Sequence, residues 1–266
     1  MMLLATSASL PAKSYELPPN LADHPCLANV LLKEAVPVGL PTERGLFPGP
    51  GGAFYIPADI QISNLTPASL KQSSTEQTLT ALPAGEPDRW GHISAWIVTS
   101  SAKTSSNEAA SLLQDNLIAE GGAIAAPRDS NPACSAHLLE AEELPRTKRQ
   151  GLWGQRQIYA TMTPNRIAEA VGTYAIAEGR IVSLGKTAST RYLNFGRHWK
   201  TDFTATLSAS SEALFQLMLE GSGVSLDDLA ERTVRLRGVI EIHDGPLMRL
   251  THPGQLAVIG DQKDKN

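Results

Sequence analysis

Between residues 172 and 259 the chain alternates short β-patterned runs with one helical run, and few folds accommodate that order. Residues 174–184 are β-prone. Residues 191–195 then alternate, Gly196 breaks the run, and 201–207 alternate again, which is the pattern of a hairpin. A helix follows over 210–220, capped by Ser210 or Ser211 and ended by Gly221, with Leu214, Leu217 and Met218 facing inward. After a short capped turn at 225–230, residues 233–242 alternate with Val234, Leu236 and Val239 inward and Arg235 and Arg237 outward. The Asp244-Gly245 pair marks another hairpin, and 247–250 and 256–259 complete the set. Strand, strand, strand, helix, strand, strand is the order of a five-stranded Greek-key barrel.

The first half is less regular. Residues 1–50 are rich in Pro and Gly, with one strand expected at 28–35 and a loop at 45–52. Strands are expected within 53–65 (a pair), at 78–82 and at 90–98. Helical spacing of Ala110, Leu113, Leu117 and Ile118 predicts a helix over 107–120, stopped by Gly121-Gly122. A second helix over 132–151 places Cys134, Leu138, Leu139, Ala141 and Leu144 on one side. Its Glu140, Glu142, Glu143, Arg146, Lys148 and Arg149 read as a solvated face, and Pro145 as a kink. The boundaries that follow are a tail or remnant export signal at 1–24, a first unit at 25–155, a linker at 156–171, a second unit at 172–260 and a tail at 261–266.

With 42% apolar and 19% charged residues the chain has enough apolar mass for a substantial core. Its formal charge of −4 excludes a protein that coats nucleic acid by bulk charge, so such contact has to be local. No apolar run is long enough to span a membrane. The two cysteines, Cys26 and Cys134, belong to no CxxC or HExxH pattern, so no metal site is expected, and their spacing leaves open whether they pair. Residues 1–12 resemble the end of a secretory signal without its basic start, which leaves the compartment open between exported and cytoplasmic.

Local charge concentrates on the first hairpin. Across 180–202 the cations Arg180, Lys186, Arg191, Arg197 and Lys200 face Asp202 alone, an excess of +4. Arg191, Tyr192, Arg197, His198, Trp199 and Lys200 interleave cations with aromatic rings, which suits single-stranded nucleic acid, where bases stack and phosphates need donors. Alternation puts Tyr192 on the opposite face from Arg191, with Arg191 on the free side. Trp90 and Trp153 read as core aromatics, Asp59 as a surface acid and the His252-Pro253 turn as structural.

Several motifs carry a resemblance. Asp88-Arg89-Trp90-Gly91-His92, the helix ending in Glu120-Gly121, and Gly151-Leu152-Trp153 resemble the staphylococcal nuclease-like (thermonuclease) domain over roughly 85–154. That family hydrolyses phosphodiesters with bound calcium, a glutamate base and two arginines, a set suited to a hard cation and a charged phosphorus centre. Aligned on the family motif, Ile56 stands at an arginine position, Gln61 at an aspartate, Asn64 at the glutamate and His92 at the second arginine. The resemblance therefore implies a degenerate nuclease, with Asp59, Asp88 and His92 the remaining candidates for catalysis. Tyr192-Leu193-Asn194-Phe195-Gly196 with Asp202-Phe203-Thr204 is similar to OB-fold domains of bacterial proteins. The expectation is thus a mainly β (α+β) protein of two OB-type five-stranded Greek-key barrels, the first with appended C-terminal helices. Its expected function is non-catalytic nucleic-acid binding, with no cofactor. The alternatives are a residual calcium-dependent phosphodiesterase and a structural or envelope-associated interaction module, which would bind protein or carbohydrate.

Overall fold

The computed structural model describes residues 15–62, 77–101, 110–198, 200–221 and 223–259. They form mostly β structure with a few helices, in curled sheets. The first sheet contains β1 (Val36–Val38), β2 (Phe47–Pro48) and β3 (Phe54–Pro57); β4 (Ile60–Ile62) leaves it to pair elsewhere. β5 (Gln77–Pro83), β6 (His92–Ser101) and β7 (Ser111–Leu112) complete it, in the order β1-β5-β6-β3-β2 with β7 also on β6. Pairing is antiparallel except at β3–β6. The Gly39 amide donates to the Pro48 carbonyl at 2.8 Å, drawing the ends of β1 and β2 together into a half-barrel. Residues 28–35, expected as a strand, instead contain a 3-10 turn at Leu32–Glu34, and the strand begins one residue later at Val36.

Helix α1 (Leu113–Ala119) starts later than its apolar spacing suggests, because Ser111 and Leu112 extend the sheet; residues 102–109 lie outside the described residues. Gln114, fully buried, then bonds β6 with its side chain: Oε1 accepts from the Ile97 amide and Nε2 donates to the Ala95 carbonyl. Strand β8 (Ala123–Ala125) pairs with β4, and α2 (Pro132–Thr147) packs beside α1. Asn131 caps α2 by accepting from the Cys134 amide at 2.9 Å. Pro145 sits in the last turn of α2, where it does not divide the helix. Cys26 and Cys134 form a disulfide, tying the 3-10 turn at Pro25–Leu27 to the first turn of α2.

The second sheet starts inside the stretch expected as a linker. β9 (Ile158–Ala160) pairs in parallel with β10 (Tyr174–Arg180), and α3 (Pro164–Ala168) contributes Ile167 to the core. β11 (Ser183–Lys186), β12 (Thr190–Asn194), β13 (Thr204–Ser208), β14 (Thr233–His243) and β15 (Gly245–Leu250) follow, with α4 (Glu212–Glu220) between β13 and β14. The path runs β11-β12-β13-β15-β14-β10-β9, with β16 (Leu256–Val258) on β14. Two junctions in this path are parallel, β13–β15 and β10–β9. On α4 the inward pair is Phe215 and Leu219, one helical turn apart, while Leu214 and Leu217 are exposed.

Helix α2 and strand β8 meet the second sheet at a buried ion pair. Glu142, read from sequence as part of a solvated face, is 1% exposed and accepts two hydrogen bonds from Arg237, which is 3% exposed. Glu142 also accepts the Ala125 amide at 2.7 Å, and Arg237 donates to the Ala125 carbonyl at 3.2 Å. Ile124, Trp153 and Ile176 pack around this clamp. Burial there pushes the Tyr174 phenol well above its ordinary pKa. His252 adds a second latch through the Ser130 carbonyl at 2.7 Å.

Candidate ligand-binding groove

The 191–207 hairpin forms as β12 and β13, in register from Thr190↔Ser208 to Asn194↔Thr204. Tyr192 and Asn194 share its outer face. There, with Gly185 on β11, Thr204 on β13, Leu247 on β15 and the His243-Asp244 tip, they line a groove of about 400 Å³. Gly185 lies directly opposite Tyr192 on β11, so the tyrosine has no side chain as neighbour on that side, while Thr206 stands opposite it on β13. At one end stands the 196–202 turn. Asp202 organises it by accepting the His198 amide at 2.7 Å, and a Cβ at Gly196 would overlap that carboxylate. Gly245 packs against the backbone of Thr201 and Asp202, so the β14–β15 tip and the cationic turn are neighbours. Asp244 takes a positive φ of 63° as the one residue between the paired His243 and Gly245.

Alternation holds, but the faces are reversed from expectation. Arg191 points to the core side with Leu193 and is 5% exposed. Its guanidinium donates to Asp227 at 2.7 Å and to Glu212 at 3.3 Å. Desolvation opposes its charge, yet these two carboxylates hold its pKa above the ordinary arginine value. Arg191 is therefore a structural residue of this sheet. Two further cations of the sequence cluster are also matched: Lys186 by Glu212 at 2.8 Å and Arg180 by Glu231. The local excess of +4 counted along the sequence does not survive folding, because its partners come from α4 and beyond. What faces solvent beside the groove is Arg197, His198 and Lys200, all exposed. Trp199 lies outside the described residues.

The catalytic candidates left by the nuclease resemblance, Asp59, Asp88 and His92, have structural contacts, and Asn64 lies outside the described residues. Asp59 is fully buried at a left-handed turn, φ 52°, between β3 and β4. Its two oxygens accept the amides of Asp129 at 2.9 Å and Ser130 at 3.1 Å, so it clamps a loop and is no surface acid. Asp88 caps its own turn, accepting the amides of Trp90 at 2.8 Å and His92 at 2.9 Å. Although desolvation opposes the shift, these bonds and the His92 ring lower its pKa. His92 lies 3.5 Å from Asp88 and edge-on to Phe54. Asp59 and Asp88 belong to no group of three metal-ligating side chains among the described residues. These residues do not fit the calcium site that the resemblance implies. Trp90, expected in the core, is 69% exposed with the Arg89 guanidinium 4.9 Å from its ring centre, whereas Trp153 is buried as expected.

Sequence reading missed one cluster. His24 before the first disulfide cysteine, Asp115 on α1 and His137 on α2 converge, with Asp115 accepting from the imidazoles at 2.8 and 3.1 Å. No motif spacing announces it, since the residues stand 91 and 22 positions apart. The one available signal was the nearness of His24 and His137 to the two cysteines. Comparison with known protein families and with curated proteins returns no match to this chain.

Proposed function

We propose that this is a non-catalytic binding protein whose groove across β11, β12, β13 and β15 takes single-stranded nucleic acid. The observation that carries the reading is the position of Tyr192 on the groove floor, beside a turn that exposes Arg197, His198 and Lys200. A half-buried ring offers a stacking face that any base can use, and the turn supplies donors for one or two phosphates. The strand order supports this reading. The paths β1-β5-β6-β3-β2 in the first sheet and β10-β14-β15-β13-β12 within the second, parallel at β3–β6 and at β13–β15, are in keeping with an OB-type Greek-key order, to which β7 in the first sheet and β9, β11 and β16 in the second are additional. On such barrels oligonucleotides lie over the second and third strands, the place of β12 and β13. The duties of Asp59 and Asp88 leave a nuclease without its carboxylates, which supports a non-catalytic protein.

A second reading, an envelope-associated module for a neutral oligosaccharide, is favoured by Asp244 and Asn194 on the groove wall. A carboxylate there suits hydroxyl donors better than phosphates. The buried Cys26–Cys134 disulfide also suits an oxidising compartment. Fluorescence anisotropy with a labelled oligothymidylate separates the two. The nucleic-acid reading expects saturable binding that falls by about 5- to 150-fold in Tyr192→Ala, the loss of about 1–3 kcal/mol of stacking. Binding that is absent, or unchanged in Tyr192→Ala, overturns it.

A further inference from the structure

We propose that His24, Asp115 and His137 form a binding site for a divalent transition-metal ion of the zinc class. The three residues come from separate segments, yet one ligand atom of each lies within 4.8 Å of the others. The imidazole rings stand edge to face, centroids 4.8 Å apart, and both Nε2 atoms point at the same carboxylate. Bonds of about 2.1 Å to a common ion put neighbouring ligand atoms roughly 3.0–3.4 Å apart. The observed nitrogen–oxygen separations, 2.8 Å to one Asp115 oxygen and 3.1 Å to the other, are close to such edges. Seating an ion then draws the three ligand atoms onto a common centre, with His137 the most exposed of the three. Two imidazoles and one carboxylate are a donor set that zinc accepts with a further position left for water.

The scaffold holds this geometry covalently. Cys26 follows His24 by two residues and Cys134 precedes His137 by three, so the disulfide pins both histidine-bearing segments at the cluster. Side-chain exposure is 10% for His24, 27% for Asp115 and 36% for His137, a graded opening that gives an ion a path in.

Binding requires one local exchange. The Cys26 amide donates to His24 Nδ1 at 3.2 Å, so in the metal-free protein the ring proton is on Nε2 and is donated to Asp115. With an ion on Nε2, the neutral ring carries its proton on Nδ1 instead and gives up the bond from the Cys26 amide. Proton count on His24 is unchanged, and the lost cap weakens the site relative to one with a supporting acceptor.

The test is zinc titration of the full-length, disulfide-intact chain by calorimetry, with imidazole resonances followed by NMR. The expected result is one saturable site, perturbation of His24 and His137 resonances together, and a higher thermal midpoint with zinc. His137→Gln, at a half-exposed helix position, is expected to weaken zinc by about 100-fold or more while keeping the metal-free thermal midpoint. His92→Gln is expected to bind zinc as the parent does. Absence of a saturable site overturns the proposal. So does zinc affinity unchanged in folded His137→Gln, which leaves the trio a hydrogen-bonded ion pair.

Discussion

Arg191 illustrates how a single side chain changes meaning once its neighbours are known. Along the sequence it is a cation between aromatics; in the fold it is buried against Glu212 and Asp227, 21 and 36 residues away. Removing it is expected to damage the fold. Arg191→Ala should lower unfolding free energy by about 2 kcal/mol in urea titrations, the value of charged hydrogen bonds lost at a mostly buried site. Glu212 reports the same contact. Hydrogen bonds from Arg191 first, then Lys186, hold its carboxyl below the ordinary glutamate pKa. A depressed folded pKa means a stabilising contribution that is present above the unfolded value and lost as pH falls through the folded one. NMR titration of Glu212 should show a midpoint below that of a free glutamate, moving up in Arg191→Gln. Such partners were out of reach of local reading, whereas Asp244-Gly245 was legible because an Asp-Gly turn is decided within four residues.

At the scale of elements, the Gly121 and Gly151 backbones cross where α1 ends and the 151–154 turn begins. Both have positive φ, 70° and 55°, and the Leu152 amide donates to the Gly121 carbonyl at 2.8 Å. A Cβ on Gly121 would stand 2.6 Å from the Gln150 carbonyl oxygen, so neither glycine has room for a side chain. Gly151→Ala should cost at least about 2 kcal/mol, combining left-handed backbone strain with the clash, as read by chemical denaturation. Strands were partly legible: β5 and the β12–β13 hairpin fall close to the expected runs, whereas the run expected over 174–184 divides between β10 and β11. Helix faces were harder. Counting apolar residues on α2 put Glu142 outside and Leu144 inside. In the fold Cys134 and Leu138 are buried as expected, but their stripe continues through Glu142, which pairs with Arg237 on β14, and leaves Leu144 59% exposed. On α4 the same error placed Leu214 and Leu217 inward, although Phe215 and Leu219 fill the core.

For the whole molecule, the Glu142–Arg237 clamp and the disulfide set how the parts hold together. Arg237→Met alone leaves Glu142 buried without its partner and should cost about 3–5 kcal/mol. Adding Glu142→Leu should recover most of that loss in a double-mutant cycle, since an apolar pair needs no solvation. The Cys26–Cys134 bridge closes a loop of 108 positions, and its reduction should lower stability by about 2–5 kcal/mol. No described helix is long and apolar enough to cross a membrane. The mainly β class was legible because short alternating runs separated by Gly and Pro leave few other architectures. The groove was half legible. Tyr192 was singled out, while Asn194, Thr204 and Leu247 join it only through pairings that periodicity does not specify.

The central claim, a stacking groove flanked by few cations, is tested most directly by the salt dependence of oligonucleotide binding. Each phosphate contacted by a cation contributes about −0.7 to the slope of log affinity against log salt for a single strand. With Arg197 and Lys200 as the flanking cations, the slope should lie near about −1.4, and Arg197→Ala should reduce it by about half. Binding with a slope steeper than roughly −3 would place the contact on some larger basic surface, and no binding at low salt would remove the nucleic-acid reading altogether.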